Sequence, residues 1–485
     1  SGERRRSGGG RWFAGASAPW TAILLVSVVL AVSLIGVGAW LAFAGSGEEE
    51  ERAPIAPTAR PAGAVGATGT PRSTASPRAR VSPTVRPGAT VGATEMPAAA
   101  GQLKIGLLFD YTGALAEFGP NLETGAQLAV EQINAAGGVL GQPVQIVKAD
   151  SGTNRQVAVE AANRLVNVEG VHAIVGSLAS GVTIPVAEGV AVPNNVLMIS
   201  PSSTSPALTH VKDDDFLFRT VLSDAAQGVV LADWAIEQGF KKVATFYTNN
   251  AYGKGLSDQF VKSFEAKGGT VTAAVSHEQQ SNYMSELQKA VAGDPEVLVA
   301  ISYPTEARVY LKEAIQNNLI KKFLFVDGTK SQEIIDAVGA AALEGTTGTS
   351  PSSPEKAELT TKFDADYKAE YGKDVPALPF IRESYDAVVL IALAAEAAKS
   401  TDPTKIRDQL RKVAGPPGTK FGAGAEGVEQ ALEAARAGTD IDFEGSANSA
   451  NFDENGDVLT GAIEIFRITG GEFETIKVVS LFLQQ

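Results

Sequence analysis

The sequence contains no cysteine and only three histidines among its 485 residues. The absence of cysteine excludes disulfides, thiolate metal sites, cysteine nucleophiles and a lipidated N-terminal cysteine, although it leaves the cellular compartment open. His172, His210 and His277 are far apart and lack the spacing of metal ligands, so each is predicted to be a surface or loop residue. The sequence therefore predicts neither a metal site nor a cofactor.

Basic residues are scarce over most of the chain. Residues 1–100 hold ten Lys and Arg against six Asp and Glu, whereas the rest of the chain holds 31 against 49. Because nucleic-acid binding needs basic side chains to neutralise phosphates, this acidic body argues against it. The sequence also lacks a GxxxxGK[ST] phosphate loop and a GxSxG nucleophile elbow. An enzyme such as an amidohydrolase would need a nucleophile–base pair or a metal cluster, and neither is found convincingly.

One long segment near the N-terminus has no charge. Trp20–Ala44 is apolar over 25 residues, which is enough for a helix to cross the hydrocarbon core of a bilayer. Four arginines precede it and a run of glutamates follows, so residues 1–19 are predicted to be cytoplasmic and the body extracytoplasmic. A retained membrane anchor is the preferred interpretation. The alternative is a signal peptide cleaved after Ala42-Phe43-Ala44, which would leave a secreted or periplasmic protein.

The next segment, residues 45–100, has the composition of a linker. Its larger part, residues 52–100, contains eight prolines and no aromatic residue. Such a segment buries too little apolar surface to offset its ordering entropy, so it is predicted to be a disordered tether.

From Gln102 onward, short runs rich in β-branched residues alternate with helical patterns. This alternation predicts parallel sheets with helices on both faces. The rhythm pauses near residues 216–224 and then restarts, which indicates two α/β lobes rather than one sheet. The late helix YDAVVLIALAAEAAK and the late strands GAIEIFRI and FETIKVV must then be shared between the lobes. The earlier predicted strands are LKIGLLFD, VQIVKAD, HAIVGS, NVLMIS, KVATFYT, EVLVAIS and KFLFVDG.

Polar side chains follow several of these strands, at the edge where parallel sheets bind ligands. HAIVGS leads into Ser180, and NVLMIS leads into a run containing Ser202, Ser203 and Thr204, whose hydroxyls suit a carboxylate. The alternative is that these residues only cap helices. In the second half, Tyr252, Tyr303 and Asp327 follow strands in the same way. Asp327 is placed to bind an ammonium group or to initiate a turn before a glycine.

The blocks from Leu103 to about Val479 resemble the leucine/isoleucine/valine-binding group of type I periplasmic solute-binding proteins. No single block is sufficient, but their order covers nearly the whole body. The blocks are IGLLFDYTGALAEFG, GAQLAVEQINAAGGVLGQPVQIVKAD, AIVGSLASGVTIPVAE, LMISPSSTSPALT, FRTVLSDAAQG, YGKG and ESYDAV.

The resemblance implies two doubly wound α/β lobes joined by a hinge of three crossovers, near residues 220–223, 349–353 and 448–453. Residues 101–222 and 352–450 would form one lobe, and residues 223–351 and 451–485 the other.

The resemblance also assigns roles to individual residues. Ser180, Ser202 and Thr204 correspond to head-group ligands of an amino acid, with Ser203 beside them. Asp327 corresponds to the acidic partner of the ammonium, and Phe118, Tyr252, Tyr303 and Phe380 to aromatics around the side chain. Asp327 replaces a longer glutamate of the branched-chain binders, and Ser202 replaces a small apolar residue.

The predicted function is an extracytoplasmic, monomeric receptor that captures a branched-chain amino acid or a related small zwitterion between its lobes and delivers it to the permease of an ABC importer. The alternative is a ligand-sensing domain for an amino acid, amide or urea-like compound, although the long tether and short N-terminal stub argue against it. A further predicted helix within residues 422–447 has no assigned role.

Overall fold

The computed structural model describes residues 101–354 and 358–482, so the predicted N-terminal stub, anchor and linker lie outside the described residues. Within the described part, no helix is both long and apolar enough to cross a bilayer.

A five-stranded sheet, with all neighbouring strands parallel, forms the centre of the first lobe in the order β2-β1-β3-β4-β5. The strands β1, β3, β4 and β5 are almost fully buried, as expected where helices cover both faces, whereas the edge strand β2 is more polar and more exposed. Its strands are β1 (Lys104–Phe109), β2 (Gln145–Asp150), β3 (Ala173–Gly176), β4 (Leu197–Ser200) and β5 (Leu217–Arg219).

Helices from two separate parts of the chain surround this sheet. The early helices are α1 (Phe118–Ala135), α2 (Arg155–Asn167) and α3 (Ser180–Val186). The later elements are α10 (Glu358–Tyr371), α11 (Ile381–Ala398), α12 (Pro403–Val413), β11 (Thr419–Gly422), α13 (Ala425–Ala437) and β12 (Ile441–Glu444). The helix predicted within residues 422–447 is α13, which buries Val428, Ala431, Leu432 and Ala435.

A seven-stranded sheet forms the second lobe in the order β14-β13-β10-β9-β8-β6-β7. Strands β6 to β10 run parallel, while β13 and β14 are added antiparallel at one edge. Its strands are β6 (Lys242–Thr248), β7 (Thr270–His277), β8 (Val297–Ile301), β9 (Phe323–Phe325), β10 (Thr347–Ser352), β13 (Thr460–Thr469) and β14 (Glu472–Phe482). Its helices are α4 (Asp224–Glu237), α5 (Ala251–Ala266), α6 (Met284–Val291), α7 (Pro304–Gln316), α8 (Gln332–Val338) and α9 (Ala340–Leu343).

The chain passes between the two sheets three times. The first passage, 220–223, connects β5 to α4, and the second follows β10. The third lies between β12 and β13 and contains a turn at residues 453–457 whose Gly456 carbonyl accepts a 3.0 Å hydrogen bond from the Arg219 N–H. The turn therefore lies against β5 of the first sheet.

One histidine differs from its predicted surface position. His277 ends β7 and is only 2% exposed. Its ring stacks on Phe246 at 4.6 Å between centroids, and Nε2 lies 2.7 Å from the Ser302 hydroxyl. Burial lowers the pKa of His277 from 6.5 to about 4, so the ring is neutral and belongs to the core of the second lobe.

Candidate functional site

A small cavity lies where the carboxyl ends of strands from the two sheets face each other. Seven of the nine residues predicted for the site line it, and Leu115, Leu178 and Gly328 line it in addition. The seven are Phe118, Ser180, Ser202, Tyr252, Tyr303, Asp327 and Phe380.

The hydroxyls of the first lobe come from the loops after β3 and β4. Ser180 is the first residue of α3, whereas the N-cap is Ala179, so the Ser180 side chain does not cap the helix. Its Oγ accepts a 3.2 Å hydrogen bond from the Ser205 N–H, and the Ser202 Oγ donates to the Leu178 carbonyl at 3.1 Å. These bonds connect the two loops and place both hydroxyls at the cavity wall.

Ser203 is buried behind the cavity rather than at its wall. Its Oγ lies 2.7 Å from the Thr183 hydroxyl and donates to the Ser177 carbonyl at 3.3 Å. The Ser203 hydroxyl is therefore engaged within the loop framework and does not line the cavity.

Thr204 is also fully buried and is not part of the cavity wall. Neither an acceptor for its N–H nor a partner for its hydroxyl is found within residues 101–354 and 358–482. Its carbonyl accepts a 2.7 Å hydrogen bond from the Asp224 N–H. An unpaired buried donor is costly, so these groups mark a position where a ligand or water would be bound.

Two pairs of aromatic rings enclose the apolar part of the cavity. Tyr252 and Tyr303 stack with centroids 5.4 Å apart and planes 11° from parallel. Phe118 and Phe380 face each other at 6.3 Å. Phe380 precedes α11 with a φ of 78°, a left-handed conformation that is uncommon for a bulky residue and that places its ring beside the cavity.

The acidic group of the second lobe is Asp327, in the short 3₁₀ turn after β9. Its Oδ1 accepts hydrogen bonds from Gln227 Nε2 at 2.9 Å and from the Tyr252 hydroxyl at 3.0 Å. The Tyr252 oxygen in turn accepts from the Gly328 N–H at 3.2 Å. A side chain at position 328 would meet the Ser302 carbonyl at 2.5 Å, so glycine is required there. Asp327 is 3% exposed, and burial raises its pKa.

A second carboxyl at the site, Asp224, is not predicted from the sequence. It is the first residue of α4, it is fully buried, and neither of its oxygens has a hydrogen-bond partner. Burial, and next the charge of Asp327, raise the pKa of Asp224 well above its ordinary value, and the Thr204 hydroxyl lies nearby. Asp224 follows a passage between the lobes and does not directly follow a predicted strand, so its position gives no signal of a site. It does lie within the FRTVLSDAAQG block.

The carboxyls of Asp224 and Asp327 thus lie in the same region as the hydroxyls of the first lobe and the unpaired N–H of Thr204. Aromatic rings line the cavity beside them. A bound ammonium would relieve the repulsion of the like-charged carboxyls and supply the partners that Asp224 lacks. Among the described residues, no three His, Cys, Asp or Glu side chains are grouped as a metal site.

Two α/β lobes with a small cavity between the carboxyl ends of their strands define a receptor that binds a small molecule at its cleft. The chain belongs to the periplasmic binding protein family, whose model matches residues 102–440.

Curated relatives cover most of the same region. The chain is 32% identical over 308 residues to a Leu/Ile/Val-binding protein homolog of Brucella melitensis, an alignment covering 63% of this chain and 82% of the relative. It is 31% identical over 315 residues to the leucine-, isoleucine-, valine-, threonine- and alanine-binding protein of Pseudomonas aeruginosa, with 64% and 83% covered.

Solved structures of the same group superpose on most of the chain. The leucine binding protein LivK of Thermotoga maritima has a TM-score of 0.66 at 27% identity, with 78% of this chain and 98% of LivK covered. LivJ of Streptococcus pneumoniae, a branched-chain amino acid transporter substrate binding protein solved with isoleucine, has a TM-score of 0.65 at 27% identity, with 78% and 100% covered.

Proposed function

We propose that this protein captures an amino acid with an apolar side chain between its lobes and delivers it to an ABC importer. The observation that carries the proposal is that two sets of buried polar groups lie beside an aromatic cavity. One set is the carboxyls of Asp224 and Asp327, and the other is the N–H and the hydroxyl of Thr204. A zwitterion satisfies both sets of groups at once. The names of the relatives, which bind leucine, isoleucine or valine, support the same ligand class.

Each part of the site has a role in this proposal. Ser180, Ser202 and Thr204 bind the head group from the first lobe, while Asp327 and Asp224 bind the ammonium. The four aromatic rings and the two leucines of the cavity enclose the side chain. Ser203 supports the loop and does not contact the ligand, which follows from its hydrogen bonds to Thr183 and Ser177. The protein therefore binds its ligand without chemistry and is not an enzyme.

Closure of the lobes about the three passages completes the site, because its groups come from both lobes. The proposed lobes are residues 101–222 with 352–450, and residues 223–351 with 451–485. Hydrogen bonds already join the lobes across the cleft, for example from the Ser205 hydroxyl to the Ala251 carbonyl at 2.7 Å.

We also propose that residues 20–44 anchor the monomeric receptor in the membrane and that residues 45–100 tether it on the extracytoplasmic side, within reach of the permease. The length and apolarity of the segment and the composition of the linker support this. Membrane fractionation of full-length chain, compared with a chain lacking residues 1–44, tests the anchor. Recovery of both in the soluble fraction would contradict it.

A thermal-shift screen against the common amino acids, short amides and urea tests the function. A ligand at a hundred times its Kd stabilises the folded protein by roughly 2.7 kcal/mol, so a hit is visible as a higher melting temperature. We expect leucine, isoleucine or valine to give the largest increase. A chain that no amino acid stabilises would exclude the proposal, and stabilisation by urea or a simple amide alone would favour the sensing alternative.

A further inference from the structure

Arg219, at the end of β5, is a fully buried arginine whose five N–H donors are all used. Nε and Nη2 donate to the two oxygens of Asp457, both at 2.7 Å, and Nη2 also donates to Thr209 Oγ1 at 3.0 Å. Nη1 donates to the carbonyls of Ser205 at 2.9 Å and Ser203 at 3.3 Å. The guanidinium thus joins three separate segments of the chain.

One of these bonds determines the direction of a group at the site. The Ser203 carbonyl and the Thr204 N–H belong to the same peptide unit, and in a trans peptide they point in opposite directions. Because Arg219 binds the Ser203 carbonyl, the Thr204 N–H is directed away from the arginine. That N–H is the one without an acceptor among the described residues.

Asp457 is itself held in place by the turn at residues 453–457. Asp453 Oδ1 accepts hydrogen bonds from the N–H groups of Asn455 at 2.8 Å and Asp457 at 2.9 Å. The turn lies in the third passage between the lobes, and its Gly456 carbonyl accepts from the Arg219 N–H at 3.0 Å. The turn in the third passage therefore fixes the position of the Arg219 guanidinium, and the guanidinium in turn fixes the loop after β4.

We propose that Arg219 is a positioning residue of the head-group site, which fixes the Ser203–Thr204 peptide so that the Thr204 N–H donates to the carboxylate of a bound amino acid. The proposal rests on the function proposed above. Lysine cannot replace the arginine, because a single ammonium cannot bind a carboxylate in two places and two carbonyls in a fixed plane. Asp457 contributes to the same positioning, since its carboxylate accepts hydrogen bonds from Nε and Nη2 of Arg219.

The test compares two ligands in the full-length chain: the preferred amino acid and the amine that lacks its carboxylate. The Kd of the amine divided by the Kd of the amino acid reports how much the carboxylate contributes to binding. We expect Arg219→Lys to reduce this ratio roughly tenfold, the scale of one charge-assisted hydrogen bond. Asp457→Asn should reduce it in the same direction by less, and it serves as the second variant if Arg219→Lys does not fold.

Arg411→Lys is the matched control. Arg411 donates to the carbonyls of Asp453 at 2.9 Å and Glu454 at 3.2 Å, so it holds the same turn. It also pairs with Asp215, just before β5, but none of its described hydrogen bonds reaches residues 203–209. We expect this variant to lower the melting temperature without changing the Kd ratio. The control thereby distinguishes a protein that is only less stable from one in which the Thr204 N–H is no longer oriented toward the ligand.

The amide signal of Thr204 provides a second measurement, from protein labelled with ¹⁵N-threonine. In the wild-type chain it should move downfield when the amino acid binds and move less when the amine binds. An Arg219→Lys protein that weakens both ligands equally, with the wild-type Thr204 shift intact, would overturn the proposal. If the wild-type chain binds no amino acid, the proposed function is wrong, and this inference, which rests on it, is wrong as well.

Discussion

The hydroxyl of Tyr252 donates a 3.0 Å hydrogen bond to Oδ1 of Asp327, and both side chains are buried at the cavity wall. The same hydroxyl accepts from the Gly328 N–H, so its proton is directed toward the carboxyl. Tyr252 therefore has two functions: its ring forms part of the aromatic wall, and its hydroxyl stabilises the ionised form of Asp327 that an ammonium ligand needs.

Tyr252→Phe separates these two functions because it keeps the ring. We expect the variant to bind its amino acid about tenfold more weakly, since Asp327 loses one of its two donors and its pKa rises further. Isothermal calorimetry measures the change. Tyr303→Phe is the comparison, because the Tyr303 hydroxyl bonds to Asn250 at 3.1 Å and not to Asp327. An equal loss in both variants would contradict the role given to the Tyr252 hydroxyl.

Asp327→Asn removes the charge while keeping the shape. We expect amino-acid binding to weaken by about 1.5–3 kcal/mol, the scale of a charge-assisted hydrogen bond. Asp224→Asn should weaken binding as well, and each change should lower the pKa of the remaining carboxyl because a like charge is removed. Asp336→Asn, at an exposed position of α8 in the same lobe, is the control. Unchanged affinity in Asp327→Asn would reject its contact with the ammonium.

The stability of the ligand-free protein should fall as the pH rises toward neutrality. Burial raises the pKa of Glu383 from 4.5 to about 7, with Asp386, Arg382 and Glu464 as the neighbouring charges. Between these values the folded chain holds a proton that the unfolded chain has released, so the free energy of unfolding decreases by roughly 1.4 kcal/mol per pH unit for this group.

Urea unfolding at pH 5 and pH 7.5 measures this dependence. We expect Glu383→Gln to narrow the difference in unfolding free energy between the two pH values. Glu265→Gln, at an exposed position of α5, controls for the loss of one charge. The same difference in wild-type and Glu383→Gln proteins would show that another group is responsible.

Glu117 joins the two lobes at the N-terminus of α8. Its carboxyl accepts hydrogen bonds from the Ser331 hydroxyl and from the Gln332 N–H, the latter at 3.2 Å. A carboxylate at this end of a helix is also favoured by the helix dipole. We expect Glu117→Gln to shift the ligand-free protein toward the open form and to weaken binding by roughly fivefold, because less of it is in the closed, binding-competent form.

Small-angle scattering without ligand reports this shift as a larger radius of gyration. Asp336→Asn, at an exposed position further along the same helix, is the control. A radius unchanged from that of the wild-type chain would mean that Glu117 does not hold the cleft closed.

The repeated strand pattern predicted most of what positions the site. The predicted strand LKIGLLFD corresponds to β1, and the predicted strand NVLMIS corresponds to β4. Ser180, Ser202 and Asp327 line one cavity because each follows a parallel strand and the carboxyl ends of these strands converge. Their positions after predicted strands indicated this edge of the sheets, and the family resemblance indicated their roles.

The remaining features depend on tertiary contacts. Ser202 and Ser203 are adjacent and chemically identical, yet only Ser202 reaches the cavity, because Thr183 and the Ser177 carbonyl bind the hydroxyl of Ser203. Asp224 resembles an ordinary first-turn acid of a helix, and only its burial without partners distinguishes it. The apolar Leu115 and Leu178 carry no chemical signal in a sequence at all.

The order of segments along the chain affects how the protein is made. The sheet of the first lobe is complete at Arg219, but α11, which packs over it with α1 and buries most of its own residues, ends only at Ala398. All of the second lobe except β13 and β14 is synthesised in between. A chain emerging from the ribosome or the export channel therefore carries an incompletely covered apolar sheet until late, and chains that end within the second lobe should aggregate instead of yielding a folded first lobe.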